Sequence, residues 1–83
     1  MSVSIPENVR SIASDLFGIP AERIFDHSSP ETIEAWDSVQ QLNFVLALEE
    51  KFNIQLSPEE MEQMHNIGEV VRLVENRLQN ATT

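Results

Sequence analysis

Apolar residues in the first part of the chain recur at helical spacing. They lie three or four positions apart, which is typical of one face of an α-helix: Ile5, Val9, Ile12 and Leu16. Ser4 and Glu7 have the spacing of a capping box, and Pro6 lies near the first turn. Gly18 follows the run and is suited to end a helix. We therefore predict a first helix from Ser4 to about Gly18.

A second helix is predicted from Ser38 to about Lys51, ending near Asn53. Its apolar positions form a stripe: Val39, Leu42, Val45 and Leu46, widened by Phe44 and Leu48. We expect this stripe to be buried. The polar residues are expected to face away or to lie at its margins: Gln40, Gln41, Asn43, Glu49 and Glu50.

Two further helices are predicted after a short extended link in which Ile54 and Leu56 face inward. Ser57, Pro58 and Glu60 have the order of a helix start, and this helix is expected to be short, ending near His65. Asn66 is expected to cap the last helix, with Glu69 three residues later. The buried stripe of that helix is predicted to be Ile67, Val70, Val71, Val74 and Leu78. Residues 80–83 are predicted to fray.

Residues 19–36 form a long connection that contains two prolines, and one short helical turn is plausible around Pro20–Ile24. Apolar residues could hold this connection against the bundle: Ile19, Ile24, Phe25 and Ile33. The fold class expected is therefore all-α. We predict a single domain over residues 1–83, with an ordered core of about 4–79. Its architecture is a four-helix bundle of three longer helices and a short third one, with a long first loop.

The composition of the chain excludes some kinds of site and some classes of protein. The chain has no cysteine, so it can form neither a disulfide nor a thiolate site of its own. No apolar run approaches the roughly 18 residues of a membrane span, and the first residues lack a signal-peptide core. We expect a cytoplasmic monomer.

The net charge of −9 is concentrated in residues 24–71, which contain ten acidic residues and one basic residue, Lys51. Such a field disfavours nucleic acid and anionic membranes and favours basic protein surfaces. A solvated acidic surface that aids solubility is an equally good interpretation of the charge alone.

Catalytic motifs are scarce. His27 and His65 are far apart in the predicted elements and are expected to be surface residues, and no metal site is predicted. With glycine only at Gly18 and Gly68, no phosphate-binding glycine loop is possible. A self-contained enzyme is therefore not expected.

Asp37 and Ser38 are the remaining candidates. Asp37 with Gln40, or Ser38 with Gln41, has the spacing of a capping box, so either residue could simply cap the second helix. A serine at a helix start also lies where backbone N–H groups and the helix dipole favour an anion such as a phosphodiester. Asp37 could help a partner enzyme to orient a metal ion for phosphoryl transfer.

The segment "WDSVQQLNFVLALEEKFNIQL" resembles the modification site and second helix of the acyl carrier protein family. In that family an Asp-Ser-(Leu/Met/Val) triplet opens this helix. "FGIPAERI" is similar to the end of the family's first helix, and "LSPEEMEQMHNIGEVVRLVENRL" to its third and fourth helices. The triplet alone is weak evidence, but all of these segments in the right order make the resemblance specific.

The resemblance implies that Ser38 carries 4′-phosphopantetheine, transferred from coenzyme A by a phosphopantetheinyl transferase. The thiol of that arm holds acyl groups as thioesters for acyl-loading and acyl-transfer enzymes with basic docking surfaces. It also implies a partner-recognition face, for which the candidates are Asp37, Trp36, Val39, Gln40, Asn43, Glu49 and Glu50. A chain-sheltering interior between the second and third helices has the candidates Leu42, Leu46, Ile54, Met61 and Met64, each of which could equally be ordinary core.

Departures from the family pattern favour a specialised carrier. Gln40 and Asn43 stand where carriers of bulk fatty-acid synthesis have acidic residues, and Ala35-Trp36 replaces Gly-Ala. The resemblance thus indicates a discrete carrier of a fatty acid, polyketide, peptide or envelope-lipid pathway. Trp36 could contact a partner or anchor the loop. Two alternatives remain open: an acidic interaction module without the arm, and an aminoacyl or peptidyl carrier.

Overall fold

The structure is a computed structural model that describes residues 4–80 of the chain. Within that range it contains four α-helices, one 3-10 turn and no strand, which confirms the predicted all-α fold. The helices are α1 (Ile5–Phe17), α2 (Ser38–Phe52), α3 (Pro58–Met61) and α4 (Ile67–Asn80), and the 3-10 turn is Ala21–Arg23. α1 packs against both α2 and α4, so the three long helices enclose the core.

Local capping sets the ends of α1 and α2 where they were predicted. The hydroxyl of Ser4 accepts the backbone N–H of Glu7 at the start of α1. Gly18 closes that helix in the left-handed conformation, with φ of 70°. Asn53 does the same for α2, with φ of 56°; among non-glycine residues, asparagine tolerates this conformation well.

The two later helices also start at their predicted caps. Ser57 and Glu60 form both hydrogen bonds of a capping box around α3. The Oδ1 atom of Asn66 accepts the backbone N–H of Glu69 at 2.8 Å and caps α4. α3 is shorter than predicted, since it ends at Met61 rather than near His65.

The buried stripe of α4 is Ile67, Val70, Leu73 and Val74, whereas Val71 and Leu78 are half-buried. The prediction therefore missed Leu73. Asn80 is still helical, contrary to the expected fraying there, and residues 81–83 lie outside the described range.

The long connection between α1 and α2 is packed against the bundle. Two backbone hydrogen bonds tie it to the start of α4: Ile67 N–H donates to the carbonyl of Ser28, and Gly68 N–H donates to that of Asp26, both at 2.9 Å. Ile24 and Ile33 are buried, as predicted. The prediction for Phe25 was wrong, because its ring is half exposed and stacks on the His27 ring. The middle of the connection is consequently held to α4 by backbone hydrogen bonds, and Ile24 and Ile33 on either side of it are buried.

The buried face of α2 differs from the prediction. Phe44, Val45 and Leu48 are buried, but the rest of the predicted stripe faces solvent: Val39 is 68% exposed, Leu42 57% and Leu46 62%. α2 carries apolar residues around most of its circumference, so periodicity alone does not select a face. Phe44 decides the rotation, because its ring packs edge-on against the rings of Phe17 and Trp36.

Candidate functional site

Ser38 is the first residue of α2 and is not its cap. The Asp37 carboxylate accepts the backbone N–H of Gln40 at 2.9 Å and caps the helix. Ser38 is exposed, and its hydroxyl makes no hydrogen bond to any part of the chain that the structure describes. The hydroxyl is therefore available to a reacting partner at the positive end of the helix dipole.

Trp36 holds in place the end of the loop that leads to Ser38. Its side chain is only 3% exposed; its ring stacks on Phe17 at 5.3 Å between centroids and meets Phe44 edge-on at 5.6 Å. We call Phe17, Trp36 and Phe44 the aromatic cluster. Because Trp36 lies inside this cluster, it anchors the loop, which is one of the two roles that the sequence left open for it.

Gln41 bridges the loop, α2 and α3. Its Oε1 atom accepts the indole N–H of Trp36 at 2.6 Å, and its Nε2 atom donates to the carbonyl of Met61 at 3.0 Å. The prediction placed Gln41 on the outward side of α2, whereas its side chain is half-buried. Its position five residues after Trp36 was a weak signal of this contact, since the indole N–H of a buried tryptophan requires an acceptor.

α3 is also held from the other side by an ion pair between Glu60 and Arg77 of α4. Burial by itself would raise the pKa of Glu60, but hydrogen bonds from Arg77 and from Ser57 outweigh burial and lower that pKa below its ordinary value. Polar side chains of α2 and α4 thus position a helix of only four residues.

An open groove of about 650 Å³ begins at Ser38 and runs between α2 and α3. We call it the Ser38 groove. Its apolar wall includes Trp36, Leu42, Met61 and Met64. Its volume lies within the roughly 300–1,000 Å³ of small-molecule sites. The groove thus provides space for a flexible group beside the exposed Ser38 side chain.

Of the predicted chain-sheltering residues, the structure brings Leu42, Met61 and Met64 together along this groove. Ile54 is elsewhere, buried in the core. Leu46 faces solvent, so its predicted interior position was wrong.

The outward apolar residues of α2 form a continuous surface that the sequence interpretation missed. Val39, Leu42 and Leu46 follow one another at helical spacing, starting one residue after Ser38. We call them the exposed stripe. The signal in the sequence was an apolar pattern on α2 too wide for one buried face.

Within residues 4–80, no group of three His, Cys, Asp or Glu side chains could hold a metal ion. His27 and His65 are both exposed, as predicted. None of the helices within residues 4–80 combines the length and the apolar character that a membrane-spanning segment needs.

Comparisons with known proteins point to one family. The family described as "Phosphopantetheine attachment site" matches residues 7–74. An acyl carrier protein of Chlamydia caviae is 32% identical over 76 residues, which cover 90% of this chain and 97% of the relative. An acyl carrier protein of Akkermansia muciniphila is 36% identical over 73 residues, which cover 87% and 90%.

The chain belongs to the acyl carrier protein family. A solved structure shares its fold: the solution NMR structure of a holo acyl carrier protein from Geobacter metallireducens matches with a TM-score of 0.84 at 22% identity. That match covers 96% of this chain and 92% of the other. The prosthetic group of this carrier is covalently attached 4′-phosphopantetheine.

The geometry around Ser38 fits such a group. A phosphodiester needs a hydroxyl that is exposed and not already used as a cap, and Ser38 meets both conditions. A flexible arm needs adjacent space, which the Ser38 groove offers.

The predicted recognition residues of this carrier differ in their exposure and in their hydrogen bonds to the rest of the chain. Val39, Asn43 and Glu50 are exposed. Gln40 is half-buried; its Nε2 atom donates to the Leu16 carbonyl at 3.2 Å, and its Oε1 atom accepts the Asn43 amide at 2.9 Å.

Glu49 has a structural contact as well. It is half-buried, and its Oε2 atom accepts the backbone N–H of Leu56 at 2.9 Å. Glu49 thereby ties the extended link after α2 to the helix itself.

Proposed function

We propose that this carrier holds acyl intermediates as thioesters on a 4′-phosphopantetheine arm attached to Ser38. The observation that carries the proposal is the exposed hydroxyl of Ser38, which the Asp37 cap leaves without a hydrogen bond inside the described range. Ser38 also opens onto the Ser38 groove, so an arm attached there has adjacent space. The chain itself performs no catalytic step in this proposal and delivers its cargo to enzymes.

The prosthetic group supplies the thiol, which a chain without cysteine cannot provide. The residues of the chain do the rest. Asp37 holds the start of α2 in place, and Trp36 with Gln41 fixes the loop that leads to it. The attachment point is thus presented from a rigid element rather than from a mobile loop.

We propose that partner enzymes contact the exposed stripe together with Asn43 and Glu50. These enzymes are a phosphopantetheinyl transferase and acyl-loading or acyl-transfer enzymes. An apolar surface of this kind on a small protein is typical of a contact site. The middle of the α2 face is neutral, with Gln40 and Asn43 bonded to each other, while Asp37 and Glu50 place charge at its ends. A partner with an apolar centre and a basic rim would match this face.

The neutral centre of this face supports the proposal that the carrier acts in a specialised acyl-transfer pathway rather than in bulk fatty-acid synthesis. A partner selected for acidic residues at positions 40 and 43 would lose two charge contacts here. The difference would appear as a preference among partner enzymes. It can be measured by comparing Gln40→Glu and Asn43→Asp variants with the natural chain.

The attachment at Ser38 is tested by intact mass after incubation with coenzyme A and a broad-specificity transferase. We expect a gain equal to one 4′-phosphopantetheine for the natural chain and no gain for Ser38→Ala. Ser11→Ala is the matched control, because Ser11 is an exposed helical serine on α1, and it should gain the full mass. An unmodified natural chain, or a Ser38→Ala variant that still gains the mass, would refute the proposal.

A further inference from the structure

We infer that Gln40 is a positioning residue for the modification of Ser38, because its side-chain amide ties the first turn of α2 to the last turn of α1. The inference rests on the proposed attachment at Ser38. Gln40 is one of the predicted recognition residues, and both the oxygen and the nitrogen of its side-chain amide are already bonded within the chain. Three features of the structure support the positioning role.

The first feature is a carbonyl group at the end of α1 that needs a donor from outside its own helix. The last four carbonyls of an α-helix lack the N–H groups of a following turn. For Leu16, the residue four positions further on is Pro20, which has no N–H to donate. The Nε2 atom of Gln40 donates to this carbonyl at 3.2 Å, although the two residues are 24 positions apart in the sequence. Gln40 therefore supplies the donor that Pro20 lacks.

The second feature is that Gln40 is held by its backbone as well as by its side chain. Its backbone N–H donates to the Asp37 carboxylate at 2.9 Å, and its Oε1 atom accepts the Asn43 amide at 2.9 Å. The side chain is half-buried, so its hydrogen bonds are partly shielded from water. Ser38 lies between the two residues of the cap. The serine is thus presented from a turn that is capped at its start and bonded to a neighbouring helix.

The third feature is the charge that this position accepts. The carbonyl end of a helix carries partial negative charge, so it favours a donor or a cation and disfavours a carboxylate. A glutamate at position 40 would have no N–H for the Leu16 carbonyl and would bring its own charge to the negative end of α1. A lysine could still donate to that carbonyl. The neutral donor at position 40 therefore matches the end of α1 independently of any partner.

A loosened first turn of α2 should slow the reaction of Ser38 more than it weakens docking. The exposed stripe extends from Val39 to Leu46, so most of the proposed contact surface lies beyond the tied turn. A displacement of about 1 Å at a reacting group can cost up to about a hundredfold in rate. A positioning residue is thus recognised by a lower maximal rate with little change in the concentration that gives half of it.

The test is single-turnover modification of the apo chain with coenzyme A and an excess of a broad-specificity phosphopantetheinyl transferase. The maximal rate and the half-saturating transferase concentration are then obtained separately. We expect Gln40→Ala to lower the maximal rate at least about threefold and to change the half-saturating concentration less than about twofold. Gln40→Glu should lower the maximal rate as well, and Gln40→Lys should retain more of it than Gln40→Glu does.

Gln55→Glu and Gln55→Lys are the charge-matched controls, because Gln55 is an exposed amide in the link after α2. Both should keep the natural maximal rate. A Gln40→Ala or Gln40→Glu variant that keeps the natural maximal rate would overturn the inference. A loss seen only in the half-saturating concentration would also overturn it, since Gln40 would then act as a contact residue.

A measurement on the natural chain covers the case in which a Gln40 variant does not fold. By NMR, at least one side-chain amide proton of Gln40 should exchange with water more slowly than those of Gln55, because it is hydrogen-bonded to the Leu16 carbonyl. Equal exchange would overturn the inference and leave the proposed function standing. If the natural chain is not modified at Ser38, the proposed function fails and this inference fails with it.

Discussion

The Asp37 carboxylate accepts the backbone N–H of Gln40 at 2.9 Å, one residue before the serine to which the prosthetic group is proposed to attach. From the sequence, Ser38 could have been both the cap of α2 and the proposed attachment point. The structure gives the capping role to Asp37. Asp37 satisfies an N–H group that the first turn of α2 would otherwise leave unpaired. Ser38 is left with an exposed side chain whose hydroxyl is not needed for the helix.

Asp37→Ala is therefore expected to destabilise the protein more than Ser38→Ala. Loss of an N-cap costs about 1 kcal/mol, within a range of roughly 0.5–2 kcal/mol. Ser38→Ala should stay within about 0.5 kcal/mol of the natural chain, as is usual for exposed positions without a special contact. The measurement is chemical unfolding of the two unmodified variants. Asp37→Asn is the control, because asparagine also caps helices; equal losses for the two alanine variants would show that Ser38 shares the capping role.

The Glu60–Arg77 ion pair predicts a pH-dependent contribution to stability. The pKa of Glu60 is lowered from an ordinary value of 4.5, so the folded state binds its proton less readily than the unfolded state does. The contribution is then fully present above about pH 4.5 and is lost as the pH falls through the lowered pKa. Chemical unfolding of the natural chain and of Glu60→Gln between neutral pH and pH 3 measures it.

The advantage of the natural chain over Glu60→Gln should shrink towards the acid end of that series. Other carboxylates titrate in both proteins and cancel in the difference. An advantage that stays constant with pH would show that the packing of the side chain, and not its charge, holds α3.

The two faces of α2 predict opposite results for the same substitution two residues apart. Leu48 is fully buried, so Leu48→Ala should cost roughly 2–5 kcal/mol of unfolding free energy. Leu46 is 62% exposed, and Leu46→Ala should change stability by no more than about 0.5 kcal/mol. Thermal or chemical unfolding decides between them, and a large loss for Leu46→Ala would mean that α2 is rotated from the position described.

Leu46→Ala should instead weaken partner contact, if the exposed stripe is the docking surface. Truncation of a residue that is central to an interface can cost about 1 kcal/mol or more, which is about fivefold in affinity, although most interface residues cost less. The measurement is kcat/KM of the transferase for folded Leu46→Ala against the natural chain. Ser11→Ala on α1 serves as the control, and an unchanged kcat/KM would remove Leu46 from the contact.

Modification by the transferase should become slower as salt is added. Residues 24–71 hold ten acidic side chains and one basic side chain, and exposed charges of this kind are screened over about 8 Å at physiological ionic strength. The second-order rate should therefore fall between low and physiological salt. Glu50→Gln should reduce this dependence more than Glu22→Gln, which removes an exposed charge from the 3-10 turn after α1. A rate that does not depend on salt would count against docking through charge.

The sequence by itself determined the helix starts and led to Ser38 as the proposed attachment point. Ser4, Ser57 and Asn66 act on N–H groups only three residues away, so their effect can be predicted without knowledge of the rest of the fold. The resemblance at Asp37-Ser38 depends on the same local order of residues, and it led to the family that the comparisons confirm.

Tertiary structure decided which face of α2 is buried. The apolar residues on that helix are too widely distributed for periodicity to choose between Leu46 and Leu48. The choice depends on Phe44 meeting rings from α1 and from the loop. The same is true of Gln41, whose polar side chain is drawn inward because Trp36 and Met61, from two other segments, present a donor and an acceptor to it. Contacts between distant segments cannot be predicted from the spacing of residues along one helix. For a helix that is apolar on more than one side, these contacts alone decide which side is buried.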